Sequence, residues 1–230
     1  MFFPLFFAAL NTAALGRSTS LPGFPAADSF LDFMLPATLV QGVLFGGVGA
    51  ASEVAQDIES GFFERLIAAP TARVSILLGR LAGAAFLGSL QAVLFLAIFT
   101  IFGVEVKAGI AGMLWLVLVG ALMALSIGSI GAAMALRTGS VEAVQGSFPL
   151  VFITLFISSA FFPTELMHGW FRTIAEANPF SFMINGLRDL VLVGWSFDDA
   201  LVSAGVPLGI ITLGVLLSLR QLQRRVALAA

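Results

Sequence analysis

The 230-residue chain has no cysteine, no tyrosine and one histidine, His168. Without cysteine there is no disulfide, thiolate metal site or thiol nucleophile. His168 stands beside Trp170, and nothing around it resembles a metal-ligand set. No G-x-x-x-x-G-K-[ST] run occurs, so the chain carries no P-loop of its own. Charge is also scarce. Eleven basic and 13 acidic side chains make up 10% of the residues, where soluble domains carry about a quarter. So few charges cannot cover a soluble domain of this size, and a disordered chain would be richer in them.

What is present is apolar. Hydrophobic residues make up 59% and the mean hydropathy is +1.05, the composition of an integral membrane protein. Uncharged runs map the spans, because charge is expensive in hydrocarbon. They hold 20 residues between Asp32 and Glu53, 24 between Arg80 and Glu105, and 29 between Lys107 and Arg137. Two more hold 22 between Glu142 and Glu165, and 20 between Asp199 and Arg220. Each matches the roughly 20 residues of a membrane helix. One more run, the first in chain order, extends from Met1 to Gly16 and is shorter. Lacking a basic lead and a clear small-x-small site, it reads as a retained span, short or missing its lead-in, rather than a cleaved signal. The runs are continuously apolar, as in Leu114–Leu125, whereas barrel strands alternate. The expected architecture is all-α, in one domain over residues 1–230. Its six spans lie near 1–16, 33–53, 80–104, 109–136, 143–163 and 200–219.

Six spans put both termini on one side. With the termini inside, seven bases face the cytosol (Arg65, Arg73, Arg80, Arg137, Arg220, Arg224 and Arg225) and four face outward (Arg17, Lys107, Arg172 and Arg188). That favours cytoplasmic termini. Trp115, Trp170 and Trp195 then fall near the outer interface. Two connections exceed a turn: a cytosolic one within 56–79 and an outer one over 163–198. Long connections in compact proteins tend to be functional.

Chemistry within the spans is sparse. Gly128-Ser129-Ile130-Gly131 has no membrane histidine to activate its serine. Glu53 and Glu142 read as snorkelling at span ends, and Gln41, Gln91 and Gln145 as interhelical hydrogen-bond formers. Gly42-x-x-x-Gly46 and Gly79-x-x-x-Gly83 are small-residue packing motifs. Phe148, Phe152 and Phe156 recur every four residues on span five. This spacing lines a path for aromatic molecules or packs a neighbouring helix, and packing is the favoured reading. In the cytosolic connection, Ile58, Phe62 and Leu66 recur with helical spacing beside Glu64 and Arg65. That stripe suits a helix resting on the membrane surface or one docking in a partner's groove, and composition does not separate the two.

The stretch Glu59-x-Gly61-x-x-Glu64-Arg65-Leu66-x-x-Ala69-Pro70-x-x-Arg73, leading into Gly79-Arg80, resembles the signature of type-2 ABC exporter permeases. The nearest branch is daunorubicin-resistance-like. Phe30-Leu-Asp32-Phe-Met-Leu-Pro36 resembles that family's entry to span two. Pro163-x-x-x-Met167-x-x-Trp170-x-x-x-Ile174-x-x-x-Asn178-Pro179 with Gly186-x-Arg188 resembles its outer segment. Two departures stand out: Ala37 occupies a position where the family often has Gly, and His168 one where Pro is common. Members of the family usually carry an amphipathic cytosolic helix before span one, and this chain starts inside that span.

The resemblance implies a transmembrane subunit without catalytic residues, surrounded by membrane lipid and paired with a second permease copy (as a homodimer or a paired heterodimer) and an ATP-binding cassette subunit that carries ATP and magnesium. Glu59, Gly61, Phe62, Glu64 and Arg65 would transmit the ATPase stroke through a coupling helix. Pro163, Trp170, Asn178, Pro179 and Arg188 would belong to an outer re-entrant segment. The expected activity is outward movement of a hydrophobic or amphipathic substrate (drug, lipid or polyketide-like) across the cell membrane. No nucleic acid is implied. An ATP-independent channel or secondary carrier, and a non-transporting scaffold, are the alternatives.

Overall fold

A computed structural model of the chain describes residues 2–68 and 73–229. Every regular element among the described residues is helical. In chain order the α-helices are α1 (Phe2–Leu15), α2 (Phe30–Glu59), α3 (Phe62–Ala68), α4 (Arg73–Ile101) and α5 (Gly109–Thr138). They continue with α6 (Val141–Gly146), α7 (Phe148–Phe156), α8 (Gly169–Ala177), α9 (Pro179–Leu192) and α10 (Phe197–Ala229). Four of them, α2, α4, α5 and α10, are long and apolar enough to cross a membrane. They coincide with the second, third, fourth and sixth uncharged runs. The first run forms the 14-residue α1. The fifth, expected to span 143–163, is interrupted at Ser147 and ends at Phe156. By length and composition alone, four of the six expected spans are met among the described residues.

Helix α2 occupies the centre. It starts at a reciprocal cap: the Ser29 hydroxyl accepts from the Asp32 amide (3.3 Å), and Asp32 Oδ2 accepts from the Ser29 amide (2.7 Å). This satisfies two amides that a helix start leaves orphaned. Phe33, Leu35, Leu39 and Val43 are fully buried, because α1, α4, α5 and α9 surround this helix. α5 lies between α4 and α10 and is joined to α10 by polar rivets. Ser126 donates to the Pro207 carbonyl (2.9 Å), Ser218 to the Ser129 carbonyl (2.8 Å), and Trp115 Nε1 to Ser203 (3.0 Å). Where both partners are apolar helices, such bonds add about 0.6–2 kcal/mol each.

Two apolar cores form. The larger runs along α2, α4, α5 and α9. The smaller, including Val54, Ile58, Phe63, Leu81, Leu136 and Leu222, lies at the end carrying α3. The two small-residue motifs differ. Gly42 and Gly46 form a notch filled by Gln91 and Phe95, while Gly79 and Gly83 meet no described atom. The glutamines also depart from expectation. Among the described residues none makes an interhelical hydrogen bond, and Gln41 is fully buried with both amide atoms unpartnered.

Candidate functional site

Beyond the span proper, α2 continues through Glu53 and Asp57 to Glu59 and then turns sharply. Gly61 adopts φ +70°, and its amide donates to the Ile58 carbonyl at 3.1 Å. A side chain at this position would meet open space, so glycine is required here for backbone conformation alone. The turn corrects the expected stripe. Ile58 is buried at the end of α2, whereas Phe62, 41% exposed, begins a separate helix, and Leu66 is half-buried. Phe63 is the anchor of α3 instead, 5% exposed within the smaller core. The left-handed residue re-aims the chain, so four-residue spacing across it no longer means one face.

Polar contacts brace this elbow to the bundle. Glu59 Oε1 accepts from the Val141 amide at 2.8 Å, tying α2 to the start of α6. A carboxylate suits that orphan amide and the positive end of the helix. Ser140 caps the same helix through the Ala143 amide (3.3 Å) and donates to Glu142 (2.7 Å), which holds the Glu142 carboxyl below its ordinary range. Glu64 lies 3.8 Å from Arg225, whose guanidinium donates to the Leu136 carbonyl at 3.1 Å. Arg80 of α4 pairs with Asp57 and, at 3.4 Å, with Glu53. Exposed pairs of this kind contribute about 0–1 kcal/mol. Their effect here is to fix direction.

Of the five residues expected to form the coupling signature, Glu59 and Glu64 are exposed but each makes a polar contact to another helix, and Gly61 makes the bend. Phe62 and Arg65 form an exposed face, with the Arg65 guanidinium 5.6 Å from the centre of the Phe62 ring. Phe63, Asp57 and Arg225 escaped the sequence reading. Only the i, i+23 and i+27 spacings to Arg80 and the distant Glu64–Arg225 pair would have shown the ionic contacts, and no local pattern encodes them. Ala69 and Pro70 lie outside the described residues.

At the opposite end, the chain leaves α7 as non-helical backbone over 157–160. Ser158, Ser159 and Ala160 are buried. Helix α9 supplies their partners from one face, with Ser181, Asn185 and Arg188 at i, i+4 and i+7. Ser181 Oγ accepts from the Ser159 amide (2.9 Å), and Asn185 Oδ1 accepts from the Ser159 hydroxyl (2.7 Å). Arg188, 3% exposed, donates to the Ser159 carbonyl (2.9 Å), the Ala160 carbonyl (3.2 Å), Asn185 Oδ1 (2.9 Å) and the Phe33 carbonyl (3.4 Å). Its guanidinium carbon sits 3.8 Å from the centre of the Phe33 ring. No carboxylate pairs with it among the described residues. Irregular backbone survives among apolar helices only when protein satisfies it in this way.

Asn178 starts α9, accepting from the Phe180 amide (2.9 Å) and donating to the Thr154 carbonyl of α7 (2.7 Å). Pro179 occupies the first turn of α9, where its missing amide is harmless. Pro163 is extended ahead of a short 3-10 turn, and Trp170 is 71% exposed on α8. On α8, Arg172 is held above its ordinary pKa by the Glu176 carboxylate at 2.6 Å. Arg188, Asn178 and Pro179 are thus gathered around the end of α7, while Pro163 and Trp170 are not part of that network. Ser159, Ser181 and Asn185 were missed. Their signal is a four- and three-residue polar spacing inside an apolar segment.

Phe148, Phe152 and Phe156 form a ladder with one another, and it continues into Phe45 of α2 and Phe3 and Phe7 of α1. Ring centres lie 5.1 Å apart for Phe45–Phe148, 5.6 Å for Phe45–Phe152 and 5.9 Å for Phe7–Phe156. Between α2, α5 and α7, and lined by none of these rings, an apolar cavity of about 340 Å³ opens near Val48, Ile130, Val151 and Thr154. Among the described residues no group of three or more His, Cys, Asp or Glu could hold a metal ion.

The description "ABC-2 family transporter protein" matches residues 5–220. The chain belongs to the ABC-2 transporter family. Over 220 residues it is 26% identical to "Daunorubicin resistance ABC transporter permease protein DrrB1" of Streptomyces coeruleorubidus, covering 94% of this chain and 76% of that one. Over 180 residues it is 29% identical to "Putative transport permease ycf38" of Cyanophora paradoxa, covering 76% of this chain and 61% of that one. As an ABC-2 permease, the chain is a multi-pass membrane protein whose long apolar helices are its spans.

Proposed function

We propose that this ABC-2 permease is the transmembrane subunit of an ATP-driven exporter. It moves a hydrophobic or amphipathic substrate outward across the cell membrane. ATP and magnesium are bound by a separate ATP-binding cassette subunit, and a second permease copy completes the pathway. Both termini and the α2–α3 elbow face the cytoplasm. α1 and the α6–α7 unit complete six spans, and α8–α9 form an outer re-entrant segment closed by Arg188.

The observation that carries this reading is the elbow itself. Phe62 and Arg65 are offered to a partner, while Phe63 anchors the same short helix in the smaller core, Glu64 reaches α10, and Glu59 ties the end of α2 to α6. A push on α3 is thereby passed to several helices at once, which is what coupling to a nucleotide-driven stroke requires. The apolar cavity between α2, α5 and α7 suits a substrate that partitions from lipid, whereas Phe148, Phe152 and Phe156 face α1 and α2 as packing residues.

The test is a double charge reversal, Glu64→Arg with Arg65→Glu, in cells that depend on the exporter for drug resistance. Membrane insertion is expected to be normal and efflux lost. Normal efflux by that variant would refute the coupling role, and flux through the reconstituted protein that ignores ATP would refute the ATP-driven reading.

A further inference from the structure

At the elbow end, α3, the last turn of α5 and the C-terminal part of α10 enclose an open cavity of about 520 Å³. Three arginines line it, Arg137 from α5 and Arg224 and Arg225 from α10. Glu64 is the one carboxylate of the described lining, and it is engaged with Arg225 at 3.8 Å. Arg137 and Arg224 have no ion-pair partner among the described residues. The cavity therefore carries an excess of positive charge. It also has an apolar wall, made by Ile67 of α3 and Leu136 of α5.

We propose that this cavity binds the phosphate headgroup of an anionic phospholipid from the leaflet at the elbow end. Three features support that ligand. The arginines converge from two spanning helices onto one concavity, whereas charges that merely anchor helix ends fan outward into water. The cavity lies where those helices leave the apolar layer, which is the level of lipid phosphates. Cationic groups beside apolar wall match a ligand that is anionic at one end and acyl at the other, and basic pockets between spans at the cytoplasmic side take such headgroups. A lipid seated there touches α3 directly and holds the elbow against α5 and α10. The cytoplasmic placement rests on the orientation proposed above.

The full-length chain is purified and reconstituted in nanodiscs of phosphatidylglycerol mixed with phosphatidylcholine, and retained lipid is counted by native mass spectrometry. The variants are Arg137→Gln, Arg224→Gln and both together, with Arg137→Lys/Arg224→Lys as the charge-keeping control. Arg225 is left in place because it braces α3. Preference for phosphatidylglycerol is expected to fall about five-fold per guanidinium removed and roughly thirty-fold for the pair. The lysine pair should keep most of it. Unchanged preference in the double glutamine variant overturns the proposal. So does displacement of the lipid by excess inorganic phosphate, which would mark a soluble-anion site. Loss of phosphatidylglycerol on binding of the ATP-binding cassette subunit also overturns it, assigning the arginines to a protein contact. Labelling of a Phe62→Cys variant from outside intact cells would refute the orientation alone, because lipid retention is read independently of sidedness.

Discussion

Replacing Arg188 with methionine tests whether a buried cation holds the break after α7 closed. The change removes donors from the Ser159 and Ala160 carbonyls, at 2.9 and 3.2 Å, and the stack over Phe33 at 3.8 Å. Two carbonyls left buried and unpaired lose about 1–3 kcal/mol each, and a desolvated cation–π contact about 2. Asn185 Oδ1 is not orphaned, since it still accepts from the Ser159 hydroxyl at 2.7 Å. Against these losses, removing a buried charge recovers several kcal/mol of desolvation. The net expectation is a destabilisation of about 2–4 kcal/mol, or roughly 5–15 °C in Tm for a chain of this size. Thermal unfolding of the purified protein, followed by tryptophan fluorescence, measures it. Lysine keeps the charge and its desolvation but cannot present a planar fork to two carbonyls and an amide oxygen at once. Arg188→Lys should therefore melt no higher than Arg188→Met. If the methionine variant melts with the wild type, or lysine fully substitutes for arginine, the reasoning is wrong.

Other perturbations test the elbow and the packing. Gly61→Ala places alanine at φ +70°, which disfavours the bend by about 1–2 kcal/mol, while alanine favours continuous helix over glycine by about 1 kcal/mol. Spin labels on α2 and α3 should move apart and efflux should fall with insertion intact; an unchanged label distance would count against the bend. Phe63→Ala should destabilise by about 3–5 kcal/mol and Phe62→Ala by less than about 1 kcal/mol, read as shifts in thermal unfolding, and the reverse order would contradict the assigned faces. Gly131→Ala would set its methyl into Ala51 of α2 and should lower stability by about 1–3 kcal/mol through forced separation of α2 and α5. Retained thermal stability there would mean that the two helices are not in rigid contact.

Uncharged runs located the four long spans because hydrocarbon penalises charge wherever it falls, so a one-dimensional count suffices. The fifth run shows where that count stops. Residues 143–163 are uncharged, yet Ser147 interrupts the helix and the chain abandons it after Phe156. The polar groups that make the break tolerable lie more than 20 residues later, on α9. The elbow was half legible. Gly61 and its neighbours carried the family signature, but periodicity assumed one helix through a residue that turns left-handed. Phe62 and Phe63 are identical side chains with opposite surroundings, and only the direction of the chain after Gly61 separates them.

The break after α7 also constrains biosynthesis. Val141–Phe156 rises only about 24 Å as helix, short of the roughly 30 Å of hydrocarbon. It ends in polar backbone whose partners, Ser181, Asn185 and Arg188, follow 22, 26 and 29 residues later in the chain. On its own this segment is a poor substrate for lateral release into lipid. The break can be satisfied only once α9 has followed α7, so the two helices form one folding unit whose completion requires the chain through Arg188.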